Sequence, residues 1–242
     1  MSASEWLSAL TDILTHLSLG TLTVSGRLVD ASNATLFAQC EFEESVLDVI
    51  YKPVAGERPL WDFPDGNLAH RELAAFLVSS LSKWDVVPPT VLRDGPFGIG
   101  MVQQWIEIDE SVDLALFYRK NHPILRTMAL FDAVVNNTDR KIGHLLPTKD
   151  GNLFGCDHGV TFHEDDKLRT VLWQWAGEKL SETELTQLKD LKDSLNINTE
   201  KLAGLLTECE ISALYLRIER LIDEAKFPSP SDEWPAVPWP PF

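Results

Sequence analysis

Basic charge is scarce in this chain. Of its 242 residues, 21 are Lys or Arg and 37 are Asp or Glu, leaving a formal net charge of −16. A field of that sign repels polyphosphate backbones and anionic bilayers, so neither nucleic acid nor stable membrane association is expected. Long apolar runs are missing as well; none approaches the ~20 residues that span a bilayer. The first ten residues have no basic stretch and no cleavage site, so no signal peptide is expected and the expected location is cytoplasmic. Cysteine is limited to Cys40, Cys156 and Cys209, with no C-x-x-C pair. That pattern excludes a disulfide framework and fits reduced thiols. No G-x-S-x-G, His-x-x-x-His or G-x-G-x-x-G occurs, which removes the usual signatures of nucleophile elbows, zinc hydrolases and glycine-rich phosphate loops.

What is present reads as a globular α+β chain. Hydrophobic residues make up 44% of it, an ordinary share for a packed domain. Trp6, Leu7, Leu10, Ile13, Leu14 and Leu17 recur at helical spacing and predict a helix over 4–18, capped by Ser4 and stopped by Gly20. Strand-like runs follow at Thr21–Val29, Ala34–Cys40 and Ser45–Lys52, the first two joined by the turn residues Asp30 to Asn33. A Pro/Gly-rich stretch (53–66) leads to a predicted helix over 67–83. Strands Thr90–Arg93 and Ile99–Ile108 then flank a turn at Asp94-Gly95-Pro96. The second half is helical. Pro123 opens a helix running to about Asn136, and Ser181-x-x-Glu184 and Thr207-x-x-Glu210 are capping boxes opening two more. An irregular centre over 137–147 holds strand fragments at Leu145–Pro147 and Leu153–Cys156. The tail, with six prolines from Pro228 onward plus Trp234 and Trp239, cannot be helical; it either packs its aromatics on the domain or displays them. The plan is two-lobed, with a boundary between 1–104 and 105–242.

Chemistry concentrates in four places. Lys52 closes the apolar strand Val49-Ile50-Tyr51-Lys52, either as a solvated strand end or as a phosphate-binding lysine. Glu72, on the next helix, is either a surface carboxylate or the ion-pair partner that holds such a lysine. The apolar helix ending in Asn136-Asn137-Thr138 presents Asp139 and Arg140, with His144 five residues after the aspartate. Asp157-His158-Gly159 follows a short apolar fragment, with Gly159 expected to allow a tight turn. Asp139 is either a helix-end cap or a base for a hydroxyl proton; Asp157 is either a turn residue or a divalent-cation ligand. A rival grouping of Cys156, Asp157, His158, His163 and His144 as a metal-hydrolase centre lacks supporting spacing.

Taken together, Lys52, Glu72, Asp139-Arg140 with His144, and Asp157-His158-Gly159 resemble the protein-kinase-like superfamily. The resemblance is to its phosphoinositide 3-/4-kinase and HipA-type branch, and more narrowly to an actinobacterial group often labelled phosphatidylinositol kinase. It spans residues 20 to about 165. It implies a two-lobed fold with a small antiparallel-sheet N-lobe carrying one helix, and a mainly helical C-lobe. It also implies an ATP-dependent phosphotransferase acting on a hydroxyl of a protein Ser/Thr or a small polyol. Lys52, fixed by Glu72, would hold the α/β-phosphates, with Ser32, Asn33 and Thr35 adding contacts. Gln103, Gln104, Trp105 and Ile106 would line the adenine. Asp139 would orient the acceptor, and Arg140 would neutralise the transferring phosphoryl group. His144 stands where those kinases use Asn, so Asp157 and His144 would carry Mn²⁺ or Mg²⁺, the imidazole suiting Mn²⁺ better. A pseudokinase scaffold and an adenylyl transferase on the same fold are the alternatives.

Overall fold

The helical period near the N-terminus becomes helix α1, Ala3–Leu19, one residue longer at each end than expected. The computed structural model describes residues 3–28 and 34–242. The expected turn at 30–33, with Ser32 and Asn33, lies outside the described residues, as do the side chains of Ser4 and Trp6. Ser4 falls within α1 rather than capping it. Gly20 follows the last helical residue and donates its N–H to the His16 carbonyl at 2.9 Å.

Five antiparallel strands follow: β1 (Thr21–Arg27), β2 (Leu36–Phe42), β3 (Ser45–Pro53), β4 (Thr90–Gly95) and β5 (Gly98–Gln104). Their order is β1-β2-β3-β5-β4. Alternation along β3 decides which side chains serve which face. Val49 and Tyr51 are buried with Leu17, Leu22, Ala38, Cys40 and Val102 in a small core under α1. Ile50 and Lys52 therefore point to the opposite face. The last strand ends at Gln104, four residues before the expected Ile108. Trp105 still donates to the Asp48 carbonyl (2.9 Å), but by Asp109 the N–H is committed to Pro147 of the helical half (2.7 Å). Residues 105–109 are thus the connector between the two halves.

Helix α2, Leu68–Leu81, lies between strands in the sequence. It packs against both halves: it lies on β4 and β5 of the sheet, while Ala74, Ala75, Phe76 and Val78 belong to the larger core, that of the helical half, beside residues of the later helices. That half contains α3 (Leu114–Phe117), α4 (Pro123–Val135), the hairpin β6 (Leu145–Pro147) and β7 (Leu153–Gly155), then α5 (Glu182–Ile197), α6 (Thr199–Ala203) and α7 (Glu208–Glu224). Pro123 is the first residue of α4, and both capping boxes form. The short helices α3 and α6 have too few turns to leave a period in the sequence.

The tail packs rather than projecting as a whole. The Trp234 ring lies 4.5 Å from Lys167 Nζ. The Ala236 carbonyl accepts from Thr170 N (3.1 Å) and Trp173 Nε1 (2.8 Å), and the Pro241 carbonyl accepts from Ile142 N (2.8 Å). Trp239 stays exposed.

Candidate active site

Between the sheet and the β6–β7 hairpin lies a cleft of about 1070 Å³. Lys52, Thr35 and Ile50 come from the sheet, 103–111 from β5 and the connector, and His144, Cys156 and Asp157 from the helical half. Lys52 Nζ donates to Glu72 Oε1 at 2.6 Å and to Asp157 Oδ1 at 2.8 Å. Burial opposes the lysine's charge, but the Asp157 and Glu72 carboxylates overcome it and hold its pKa above the ordinary value. In return Lys52 holds Asp157 well below the usual carboxylate range against the cost of burial.

Glu72 is itself buried, and its two oxygens go separate ways. Oε1 takes the lysine; Oε2 accepts the backbone N–H of His158 at 3.0 Å. One carboxylate thereby ties the sheet to the peptide that follows Asp157. The turn expected at Gly159 is made instead by Asp157, whose φ is +60°, a conformation Asp tolerates better than most residues. Gly159 is needed for closeness: a Cβ there would stand 3.1 Å from Leu68 Cβ at the start of α2.

Asp139 follows α4 by four residues, after Asn136 has turned the chain with φ +52°. Asn137 Oδ1 accepts the Asp139 N–H at 3.0 Å, and Lys141 Nζ sits 3.2 Å from Asp139 Oδ2. Burial raises the Asp139 pKa, with Lys141 opposing. That is the direction that makes a carboxylate a better proton acceptor.

Arg140 is placed differently from the expectation. It is fully buried, and its Nε and Nη2 donate to the equally buried Asp132 at 2.8–3.1 Å. Nη1 donates to the Cys156 carbonyl (3.1 Å), and Nη2 contacts His158 Nε2 (2.7 Å). Such a guanidinium cannot reach a phosphoryl group; it braces the loop from behind. Gly155 makes room for it, since a Cβ there would lie 2.8 Å from Arg140 Nη1. The missed partner, Asp132, carries a sequence signal: a carboxylate within the apolar run Leu130-Phe131-Asp132-Ala133-Val134 has to be paired when buried.

Gln103, Gln104, Trp105 and Ile106 all line the cleft. The Gln103 side chain turns inward to Thr90 Oγ1 at 2.8 Å. Gln104 N–H goes to the Pro89 carbonyl and Trp105 N–H to Asp48. Among the described residues, nothing accepts from the Ile106 N–H.

His144 Nε2 lies 3.6 Å from Asp157 Oδ2. Burial lowers its pKa to about 4, Asp157 opposing, so the ring is neutral and able to ligate a metal at physiological pH. No group of three or more His, Cys, Asp or Glu able to hold a metal occurs among the described residues. A cation held chiefly by nucleotide phosphates needs only one or two protein ligands, and the Asp157–His144 pair fits that role. The hydrolase grouping is dispersed: His158 is buried against Arg140, while His163 stacks edge-on to Phe63 at 5.2 Å. Burial pushes the Cys156 thiol up to about 12, which removes it as a thiolate nucleophile.

The depressed His144 pKa has a consequence for stability. The unfolded ring takes up a proton near pH 6.5, the folded ring only near pH 4. Between these values the unfolded chain binds more protons, so stability falls as the pH drops. From pH 7.5 to 5 this group should remove about 2 kcal/mol, and His144→Asn should lack that loss. Urea unfolding of both proteins at the two pH values would check it; equal slopes would contradict the burial of His144.

This architecture, an antiparallel five-stranded sheet over a helical half with a cleft between, is a protein-kinase-like fold. The chain is similar to the crystal structure of the Golgi casein kinase, with a TM-score of 0.54 and 13% identity, covering 93% of this chain and 79% of that one. The Golgi casein kinase with Mn/ADP bound aligns at TM-score 0.55 and 13% identity, covering 90% and 75%. No protein-family model matches the chain. The chain belongs to the family of protein Rv2133c of Mycobacterium tuberculosis (strain ATCC 25618 / H37Rv), with 42% identity over 259 residues, 92% of this chain and 93% of that protein.

Proposed function

We propose that the chain is an ATP-dependent phosphotransferase of atypical kinase type, transferring the γ-phosphate to a hydroxyl of a protein Ser/Thr or a small polyol. The observation that carries this reading is the half-buried Lys52, bridged to the buried Glu72 and the exposed Asp157 in the wall of the cleft. A fixed ammonium suits phosphate oxygens, and a carboxylate beside it suits the cation that accompanies them. The Ile106 N–H and the connector would receive the base. Lys52 would hold the α/β-phosphates. Asp157 and His144 would hold Mg²⁺ or Mn²⁺, which when bound neutralises phosphate charge. Asp139 would orient the acceptor hydroxyl and take its proton. That oxygen bonds to the γ-phosphorus as the bond to the β,γ-bridging oxygen breaks, releasing ADP. Arg140 has no direct part.

The first test is binding. ATP with a divalent cation should stabilise the folded chain by about 2.7 kcal/mol at a hundredfold excess over Kd. Lys52→Ala should lose most of that gain. A folded wild-type protein that no nucleotide stabilises would overturn the proposal. Incubation with ATP labelled at the α- or γ-phosphorus separates phosphoryl from adenylyl transfer, and labelling by neither would favour the scaffold reading.

A further inference from the structure

Arg71, the residue before Glu72 on α2, is almost fully buried and ion-paired with Glu210 of α7. Its Nη2 also donates to the Asp65 carbonyl (3.0 Å) and its Nη1 to the Asn67 carbonyl (3.3 Å), with the guanidinium 4.9 Å from the centre of the Phe63 ring. Glu210 is equally committed. Its Oε1 takes Arg71, while Oε2 accepts the N–H of Thr207 at 2.9 Å within the capping box of α7. The start of α2 is clamped further by Glu57, whose two oxygens accept the N–H groups of Leu68 (2.9 Å) and Ala69 (2.8 Å). Neighbouring residues on a helix point about 100° apart, so Arg71 faces α7 while Glu72 faces Lys52 and the backbone of His158.

We propose that the Arg71–Glu210 pair positions the nucleotide site: it anchors α2 on α7 so that Glu72 meets Lys52. This rests on the nucleotide-binding reading above. Helix α2 lies between the sheet and the helical half, and its Glu72 must meet both a lysine of the sheet and a backbone N–H of the helical half. Small rotations of α2 would break both Glu72 contacts together, and a buried ion pair one residue away is the contact best placed to resist them. Hydrophobic packing is non-directional and resists such rotation less. Arg71 and Glu210 are therefore positioning residues acting through Glu72.

The test uses Glu210→Gln and Arg71→Met. In Glu210→Gln the amide oxygen can still accept from Thr207, preserving the cap, while the amide nitrogen repels the guanidinium. Each variant should weaken ATP binding roughly tenfold, within the range of couplings between contacting residues. In a Lys52→Ala background the same substitutions should add little, because the contact they align is already gone. Leu214→Ala, in the core face of α7, should lower Tm without changing the ATP Kd. If Arg71→Met does not fold, Arg71→Lys, which keeps charge but loses the fork, takes its place. Wild-type ATP affinity in Glu210→Gln and in the Arg71 variant, with Lys52→Ala impaired, would reduce the pair to a structural contact. Equal weakening by Leu214→Ala would do the same. Undiminished ATP binding in Lys52→Ala would instead overturn the assignment of Lys52 to the phosphates, and absent ATP binding in the folded wild type would overturn the nucleotide reading itself.

Discussion

Asp139→Asn should cut γ-phosphoryl transfer by about a hundred- to ten-thousandfold while leaving the ATP Kd within about twofold. The amide keeps the size and the hydrogen-bonding oxygen but cannot accept the hydroxyl's proton. Asp139 lies beside Lys141 and contacts neither Lys52 nor His144, so the ground-state nucleotide should not register the change. Its work falls in the transition state, and kcat should drop without a rise in the KM for ATP. Asp157→Ala should behave differently. It removes one of the two carboxylates on Lys52 and the one beside His144, so ATP binding and transfer should both fail. Single-turnover transfer and equilibrium binding of both variants give the comparison. Unchanged transfer by Asp139→Asn would remove it from the acceptor side of the reaction.

Asp132→Ala should destabilise the fold by about 3–5 kcal/mol, the largest stability effect expected of a single substitution in this chain. Asp132 and Arg140 are both fully buried, and the carboxylate also accepts from Asn137 Nδ2 at 3.0 Å and Thr170 Oγ1 at 3.3 Å. Removing it leaves a guanidinium with no counter-charge and frees the loop that carries Asp139. A neutral imidazole has one acceptor nitrogen, and His158 Nε2 already meets Arg140 Nη2 at 2.7 Å, so that ring cannot take over as an acceptor for two more donors. Replacing both members by apolar residues should cost less than Asp132→Ala alone, since no charge is then stranded. Urea midpoints at constant m measure both. A loss below about 1 kcal/mol for Asp132→Ala would mean that Arg140 reaches water or another partner.

The sheet and the helices were legible in the sequence because each leaves its own period in a contiguous stretch. Val49 and Tyr51 alternate with Ile50 and Lys52, Pro123 opens α4, and Ser181 and Thr207 announce α5 and α7 by a hydroxyl and a carboxylate three residues apart. Lys52, Glu72, Asp139 and Asp157, to which the proposed chemistry is assigned, could likewise be picked out, since charged groups ending apolar runs stand out from their surroundings. What no local pattern carries is which charges pair. Asp132 in its apolar run signals a buried carboxylate but not its partner, eight residues on, and Arg71 and Glu210 are 139 residues apart with no such signal. The same holds for α2, which lies on the sheet while its alanines also join the helical core, and for the end of β5, where one hydrogen bond to Pro147 draws the chain away. Secondary structure is decided mostly by neighbours within a turn or a strand, and the sequence alone sufficed for all of it but the short α3 and α6 and the end of β5. Burial and ion pairing depend on residues brought together from far along the chain, and only the tertiary structure decides them.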